Sequence, residues 1–395
     1  MDLTNIKTTN IDHIKGILDE YGVAILEDYF SDEYADEVFE SAKKWLINLN
    51  IGLTNDISTW IIRNMPYGPR YGMYQSFISH APVFWKLREK FYPIFQKILE
   101  EEELITSIDG ASIFPTFNAP KNKQDWAHID QTVSSKLMCY QSQFVATNTD
   151  ATFVCTPGSH KHHQKILSKF KINSTNNWHK FTETEVVELK NIFKSNYQIP
   201  IHAKKGSVIF WDSRTIHSAK YPNTKENSWR SVFYISMRAS STFDNKNRET
   251  IKNAVINGKT TNHWGSVIFK TIDRYKRKNT EISNLATNSK KLSYYTKMTS
   301  LQKKMCGFDV DNVTNEIKNV HDECVYILNM CMKESVISYT IYKLIIKFIM
   351  NCKNGFMIKT LQHMLIKFYC TKEMQIDEII EYVNKNNTKV RIINV

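Results

Sequence analysis

From about residue 105 the chain breaks into short apolar runs closed by turn residues: "LITSIDGASIF", "LMCYQSQFVAT", "TFVCTPGSH", "YQIPIHA", "GSVIFWDS" and "WRSVFYISM". Runs of this length, rich in β-branched and aromatic residues, predict antiparallel strands that close into a sandwich or barrel. Residues 164–195 interrupt the rhythm and predict a partly helical insertion. Ahead of the strands, residues 11–19 carry a helical pattern closed by Gly22, and "VAILEDYF" (23–30) predicts a strand. Ser31 is placed to cap a helix over 31–49, in which Val38, Ala42, Trp45 and Leu46 recur at helical spacing, and 81–104 predicts a third helix. After about residue 313 the pattern is helical to near the end, without internal repeats.

The 395 residues, 42% hydrophobic and 12% aromatic, suffice for one large domain plus an extension. The N-terminal stretch has charges throughout and shows no secretory signal, so an intracellular, cytoplasmic location is expected. The most hydrophobic segment, residues 336–351, is interrupted by Lys343 and Lys347 and predicts a buried amphipathic helix, not a membrane span. Seven cysteines, never in CxxC, predict reduced and mostly buried thiols. The net charge of +12 is uneven: residues 241–312 carry 14 basic and 6 acidic side chains, against 27 and 26 over residues 1–240. This basic segment, which includes "DRYKRK" (273–278), suits an anionic partner or nucleic acid, although no nucleic-acid motif accompanies it and a solvated lysine-rich surface accounts for it too.

The chemistry centres on "QDWAHIDQ" (124–131). On a strand, residues i and i+2 point to one face, so His128 and Asp130 can grip one metal ion together. His217, in "GSVIFWDSRTIHSA" (206–219), is the best third ligand, because an apolar strand there runs into polar residues. Two histidines and one carboxylate on one face of an octahedron leave positions for a bidentate co-substrate and dioxygen on Fe(II). HxD alone occurs often by chance; the downstream histidine strengthens it. Arg230 follows His217 by 13 residues, across the turn "YPNTKENS", and alternation puts Arg230, Val232, Tyr234 and Ser236 on one face. Turned inward, its guanidinium can pair with a carboxylate. Otherwise it is an ordinary strand arginine paired with Asp212 or Glu226. "GSHKHHQ" places His160, His162 and His163 together, a pattern more typical of a surface loop than of a metal site, and Trp126 and Trp211 suit packing beside the ligands.

With these segments in order, the chain resembles the phytanoyl-CoA dioxygenase family of non-haem Fe(II)/2-oxoglutarate oxygenases, which has cellular and viral members. "WAHIDQ" resembles its ligand segment, "VCTPGSHK" (154–161) its PGSH turn and "GSVIFWDSRTIHSA" its distal-histidine strand; "YGVAILEDYFSDEYADEV", "FWKLREKF", "ELITSIDGASIF" and "GKTTNHWG" agree as well. The resemblance covers roughly residues 10–312. It implies an α+β fold with a double-stranded β-helix (jelly-roll) core, supporting N-terminal helices and a C-terminal α-helical extension, divided as 1–312 and 313–395. It implies that His128, Asp130 and His217 ligate iron and that Arg230 binds 2-oxoglutarate, with Gln141 lining the co-substrate pocket. The implied reaction consumes 2-oxoglutarate and O2, releases succinate and CO2, and hydroxylates a small or lipid-like molecule. Related halogenases carry a small residue where Asp130 stands, so the carboxylate argues for hydroxylation. The spacing from His217 to Arg230 is about two residues longer than the family's commonest, with Arg238 the alternative arginine; Val232 breaks the RxS pattern of some relatives, and the 164–195 insertion lengthens the loop after PGSH. The competing readings are a catalytically idle oxygenase-fold scaffold and a nucleic-acid-associated oxygenase using the basic segment. Richness in Asn, Lys and Ile points to an A+T-rich genome, such as that of a large DNA virus or a protist. Substrate identity and oligomeric state are not encoded in these motifs.

Overall fold

The computed structural model describes residues 2–65, 71–75, 77–119, 126–133, 136–172, 177–222, 228–262, 269–272, 280–308, 313–352, 355–371 and 374–386. The chain divides into two compact units, Met1–Phe308 and Asp309–Val395. "DRYKRK" (273–278) and His263 lie outside the described residues.

In the first unit the strands are β1 (Lys7–Thr8), β2 (Val23–Leu26), β3 (Met73–Tyr74), β4 (Leu104–Thr106), β5 (Ala111–Pro115), β6 (His128–Ile129), β7 (Tyr140–Val145), β8 (Phe153–Cys155), β9 (His179–Lys180), β10 (Ile199–Ile201), β11 (Val208–Asp212), β12 (His217–Ala219), β13 (Trp229–Ala239), β14 (Thr260–Thr261) and β15 (Thr271–Ile272). A major sheet runs β1-β2-β11-β7-β13-β5-β3, with β4 pairing the far end of β13, and a minor sheet runs β10-β8-β12-β6-β9. Apart from the parallel pair β1–β2, both sheets are antiparallel. This is the expected jelly-roll class of α+β fold.

The helices of this unit are α1 (Ile14–Tyr21), α2 (Asp32–Ile47), α3 (Pro82–Leu99), α4 (His163–Lys169), α5 (Glu183–Phe193), α6 (Asn245–Ile256), α7 (Thr280–Thr287) and α8 (Ser300–Lys304). Ser31 caps α2, its hydroxyl accepting from the Tyr34 amide, and Pro82 opens α3 at the position where its missing N–H is not needed. Alternation along the major sheet sorts the side chains into two layers. Ala24, Leu26, Phe144, Val208, Phe210, Phe233, Ile235 and Met237 face α2 and α3 in the largest core. The odd-numbered face, Val23, Ile25, Val145, Ile209 and Trp211, meets Phe153, Cys155 and Ile201 of the minor sheet, joined there by Val232 of β13. This second layer is the barrel interior.

The second unit holds α9 (Val313–Lys333), α10 (Tyr339–Asn351), α11 (Gly355–Ile366) and α12 (Ile376–Asn386), which close their own core around Cys324, Leu328, Ile345, Phe348, Leu361, Ile379 and Val383. No helix among the described residues is long and apolar enough to cross a membrane. The six cysteines with described side chains form no disulfide among the described residues.

His80 is fully buried where the chain enters α3, with Nε2 donating to the Lys259 carbonyl at 2.9 Å, and burial pushes its pKa down to about 4. Burial likewise lowers His160 and His163. Between pH 6.5 and 4 the unfolded chain therefore binds protons that the folded chain refuses, so this contribution is full above pH 6.5 and is lost as pH falls toward 4. Urea unfolding should show stability dropping by about 3 kcal/mol from His80 alone between pH 7 and 4. A profile flat across that range contradicts the assignment.

Candidate metal centre

β6 is two residues long, His128 and Ile129, and Asp130 follows it directly. His128 on β6 pairs directly with His217 on β12, and the ring centroids stand 4.2 Å apart. Asp130, just past β6, turns its carboxylate between them: Oδ1 lies 3.7 Å from His128 Nε2 and Oδ2 3.4 Å from His217 Nε2. One ligand-capable atom from each of the three residues falls within 4.8 Å of the others. They are 7, 9 and 5% exposed.

The tautomers follow from the backbone. His128 Nδ1 lies 3.2 Å from the Trp126 carbonyl and His217 Nδ1 lies 2.9 Å from the Thr215 carbonyl. A carbonyl only accepts, so each neutral ring carries its proton on Nδ1 and turns a lone pair on Nε2 toward Asp130. A metal bound at about 2.0–2.2 Å places its ligand atoms roughly 3–4.4 Å apart, and the two measured separations fall in that range. The donor set thus fits a first-row divalent ion.

Several contacts hold the three residues in place. Gln141 on β7 donates from Nε2 to Asp130 Oδ2 at 3.0 Å, and its Oε1 is buried without a donor among the described residues. The Asp130 amide donates to the Ser213 carbonyl at 3.2 Å. Gln131 is wholly buried: it donates to the Lys136 carbonyl at 2.6 Å and accepts from the Met138 amide and the Ser213 hydroxyl. Trp126 stacks on His128 at 4.5 Å, and Phe153 and Trp211 pack on His217 at 5.6 and 5.5 Å. Cys155, the cross-strand neighbour of His217, is a neutral thiol because burial raises its pKa.

Arg230 is 3% exposed on β13 and faces the interior. Its Nη1 donates to the Ala151 carbonyl at 2.5 Å, while Nη2 has no hydrogen-bond partner among the described residues. The side chain lines a pocket with Ser112, Trp126, Ala219, Lys220 and Tyr234, so the pocket reaches from the arginine to the tryptophan stacked on His128. The alternative partner Asp212 is taken by Arg214, with Nη2 to Oδ2 at 2.5 Å, and Glu226 lies outside the described residues. Arg238 sits eight residues along the strand, over the rings of Phe243 and Phe269.

One expectation needs correction. The histidines of "GSHKHHQ" are not a surface loop: His160 and His163 are 6 and 2% exposed, and only His162 faces solvent. They begin helical structure and act as clamps. His163 Nε2 donates to the Gln131 carbonyl at 2.7 Å, beside Asp130, and His160 Nε2 donates to the Asp19 carbonyl at 3.1 Å. The cause is the following insertion, whose helix α4 carries the segment inward. Gln131 and Ser213 lie inside the ligand segments and His163 in the histidine cluster, but nothing local marks them as contacts of the centre; the strand pairing that would reveal Trp178 is invisible until the insertion is placed.

No protein-family model matches the chain, and no curated protein matches it. Solved structures of similar course are found. EctD from S. alaskensis is similar over 59% of this chain and 78% of its own, at 16% identity and a TM-score of 0.41, and has also been solved with bound Fe and with 2-oxoglutarate and 5-hydroxyectoine. The epimerase SnoN, solved in complex with Fe3+, alpha ketoglutarate and nogalamycin RO, is similar over 58% of this chain and 84% of its own, at 12% identity and a TM-score of 0.39. A hypothetical protein from Escherichia coli is similar over 77% of this chain and 84% of its own, at 11% identity and a TM-score of 0.48. At such identities the side chains carry the functional conclusion.

Gly22 sets the turn behind His217. It has φ +69°, its carbonyl accepts from the Thr215 hydroxyl at 2.9 Å and the Asp212 amide at 3.0 Å, and a Cβ there would lie 2.4 Å from His160 Nδ1 and 2.6 Å from Thr215 Oγ1. Gly22→Ala should destabilise by at least about 2 kcal/mol, since a left-handed residue costs about 1–2 kcal/mol before any overlap. Chemical denaturation of the variant against wild type measures it, and an unchanged midpoint would show that the turn relaxes freely.

Proposed function

We propose that the chain is a non-haem Fe(II)/2-oxoglutarate-dependent oxygenase of phytanoyl-CoA dioxygenase type, hydroxylating a small molecule, with residues 1–312 as the catalytic unit and 313–395 as a helical extension. The observation that carries this reading is the convergence of His128 Nε2, Asp130 and His217 Nε2 with both Nδ1 atoms committed to carbonyls. In this reading these three residues hold the iron. When bound, the iron and 2-oxoglutarate together supply the oxidising chemistry: the keto acid is decarboxylated to succinate, and one atom of dioxygen ends as a hydroxyl on the substrate.

The protein's part is positional and electrostatic. Arg230 holds one N–H fixed on Ala151 and, with no hydrogen-bond partner for Nη2 among the described residues, has that group left for a carboxylate oxygen of an acidic co-substrate. Gln141 fixes one oxygen of Asp130 and so orients the carboxylate between the histidines. Trp126, Phe153 and Trp211 exclude water from the ligand rings. A reducing, intracellular setting accords with six cysteines that form no disulfide among the described residues.

Anaerobic titration with Fe(II) and then 2-oxoglutarate, followed by O2-dependent succinate formation, tests the reading. The wild type should bind both; His128→Ala should lose iron binding and succinate formation. Arg230→Ala should weaken 2-oxoglutarate binding by about a hundredfold, the scale for removing one partner of a buried charged pair. A wild type that takes up no iron would sink the proposal in favour of an idle scaffold.

A further inference from the structure

Helix α3 carries a buried cation that the metal centre does not use. Arg88 is wholly buried, and two of its donors are spent on carbonyls, Nη1 on Ser79 at 2.8 Å and Nε on Ser107 at 3.1 Å. Its Nη2 has no hydrogen-bond partner, and no ion pair involves the guanidinium among the described residues. The Asp109 carboxylate bears on the charge without pairing with it, and its Oδ1 accepts from the Gly110 amide. Burial pulls the Arg88 pKa down to about 9, which leaves the group charged at pH 7. A charge taken out of water with no counter-ion works against folding.

The neighbourhood adds a second donor-only group. Trp85 is wholly buried, its ring centroid lies 4.3 Å from Arg88 Cζ, and its Nε1–H has no partner among the described residues. The hydroxyls of Thr106, next to Ser107, and of Thr260, next to the Lys259 carbonyl that His80 meets, are buried and unpartnered too. The turn that brings in Ser79 is strained: the buried Phe77 has φ +70° and ψ −53°, a conformation that a residue other than glycine keeps only where its surroundings impose it. Ser107 also exchanges two hydrogen bonds with Ser236 of β13, its amide donating to the carbonyl at 2.8 Å and its hydroxyl accepting from the amide at 3.0 Å. The cation thus stands behind the strand that carries Arg230.

We propose that Arg88 and Trp85 bind a small inorganic anion, chloride, inside the first unit. Guanidinium and indole N–H groups only donate, so an ion that only accepts answers both and supplies the missing charge, whereas water brings two hydrogens of its own and no charge. The site is separate from the metal centre and owes nothing to the oxygenase reading.

All eight tryptophans precede residue 309, so their fluorescence follows unfolding of the first unit. The test measures thermal unfolding of the full chain as sodium gluconate is replaced by sodium chloride at constant ionic strength. The midpoint should rise by about 3 °C for each tenfold increase in chloride above its dissociation constant. Arg88→Met should abolish that rise. Trp85→Phe, which keeps a ring and removes one donor, should weaken the apparent chloride affinity about tenfold, and it carries the test if Arg88→Met does not fold. In crystals grown with bromide, anomalous scattering should place an ion within hydrogen-bond distance of Arg88 Nη2. A wild-type midpoint indifferent to chloride, a rise in the variants equal to that of the wild type, or bromide bound at the surface as an adventitious ion only overturns the proposal and leaves these donors to ordered water.

Discussion

The pairing of His128 against His217 across two very short strands is the constraint on which the centre depends. β6 and β12 contribute two and three residues to the minor sheet, too few to hold themselves in register. Their position is imposed from both sides. Outside, the insertion's apolar cluster covers Ala127, Ile129 and Ile216; inside, Trp126, Phe153 and Trp211 pack the imidazoles. The turn leading into β12 is locked at Gly22, and the loop after β6 is locked by Gln131 and His163. A slip of one residue in either strand would turn a ligand out of the barrel and a hydrophobic residue in.

The same alternation governs the major sheet. One face of β13 sends Phe233, Ile235 and Met237 into the helical core, and the other sends Arg230, Val232 and Tyr234 toward the interior. Arg230 is buried with Nη1 donating to the Ala151 carbonyl and Nη2 without a hydrogen-bond partner among the described residues. Burying a cation is costly unless its charge and donors are met.

Much of this was legible in the chain itself. The strand rhythm after residue 105, the Ser31 cap, the Gly22 stop and the i, i+2 spacing of His128 and Asp130 are local features, set by backbone sterics and side-chain periodicity. Alternation also put Arg230, Val232, Tyr234 and Ser236 on one face, but which way that face turned was left open. The histidines of the GSHKHHQ segment were less legible. Their burial depends on α4 and on what it packs against, and composition, which makes a histidine cluster look exposed, carries no information about that.

By itself, then, the sequence determined which residues could share a face and which donor types were on offer, because those depend only on local geometry and chemistry. Only the tertiary structure decided that His217 lies opposite His128, that Asp212 is taken by Arg214 while Arg230 donates to the Ala151 carbonyl, and that β9 of the insertion pairs with β6. These are pairings between segments far apart in the chain, and the register that creates them is fixed by the packing of whole layers.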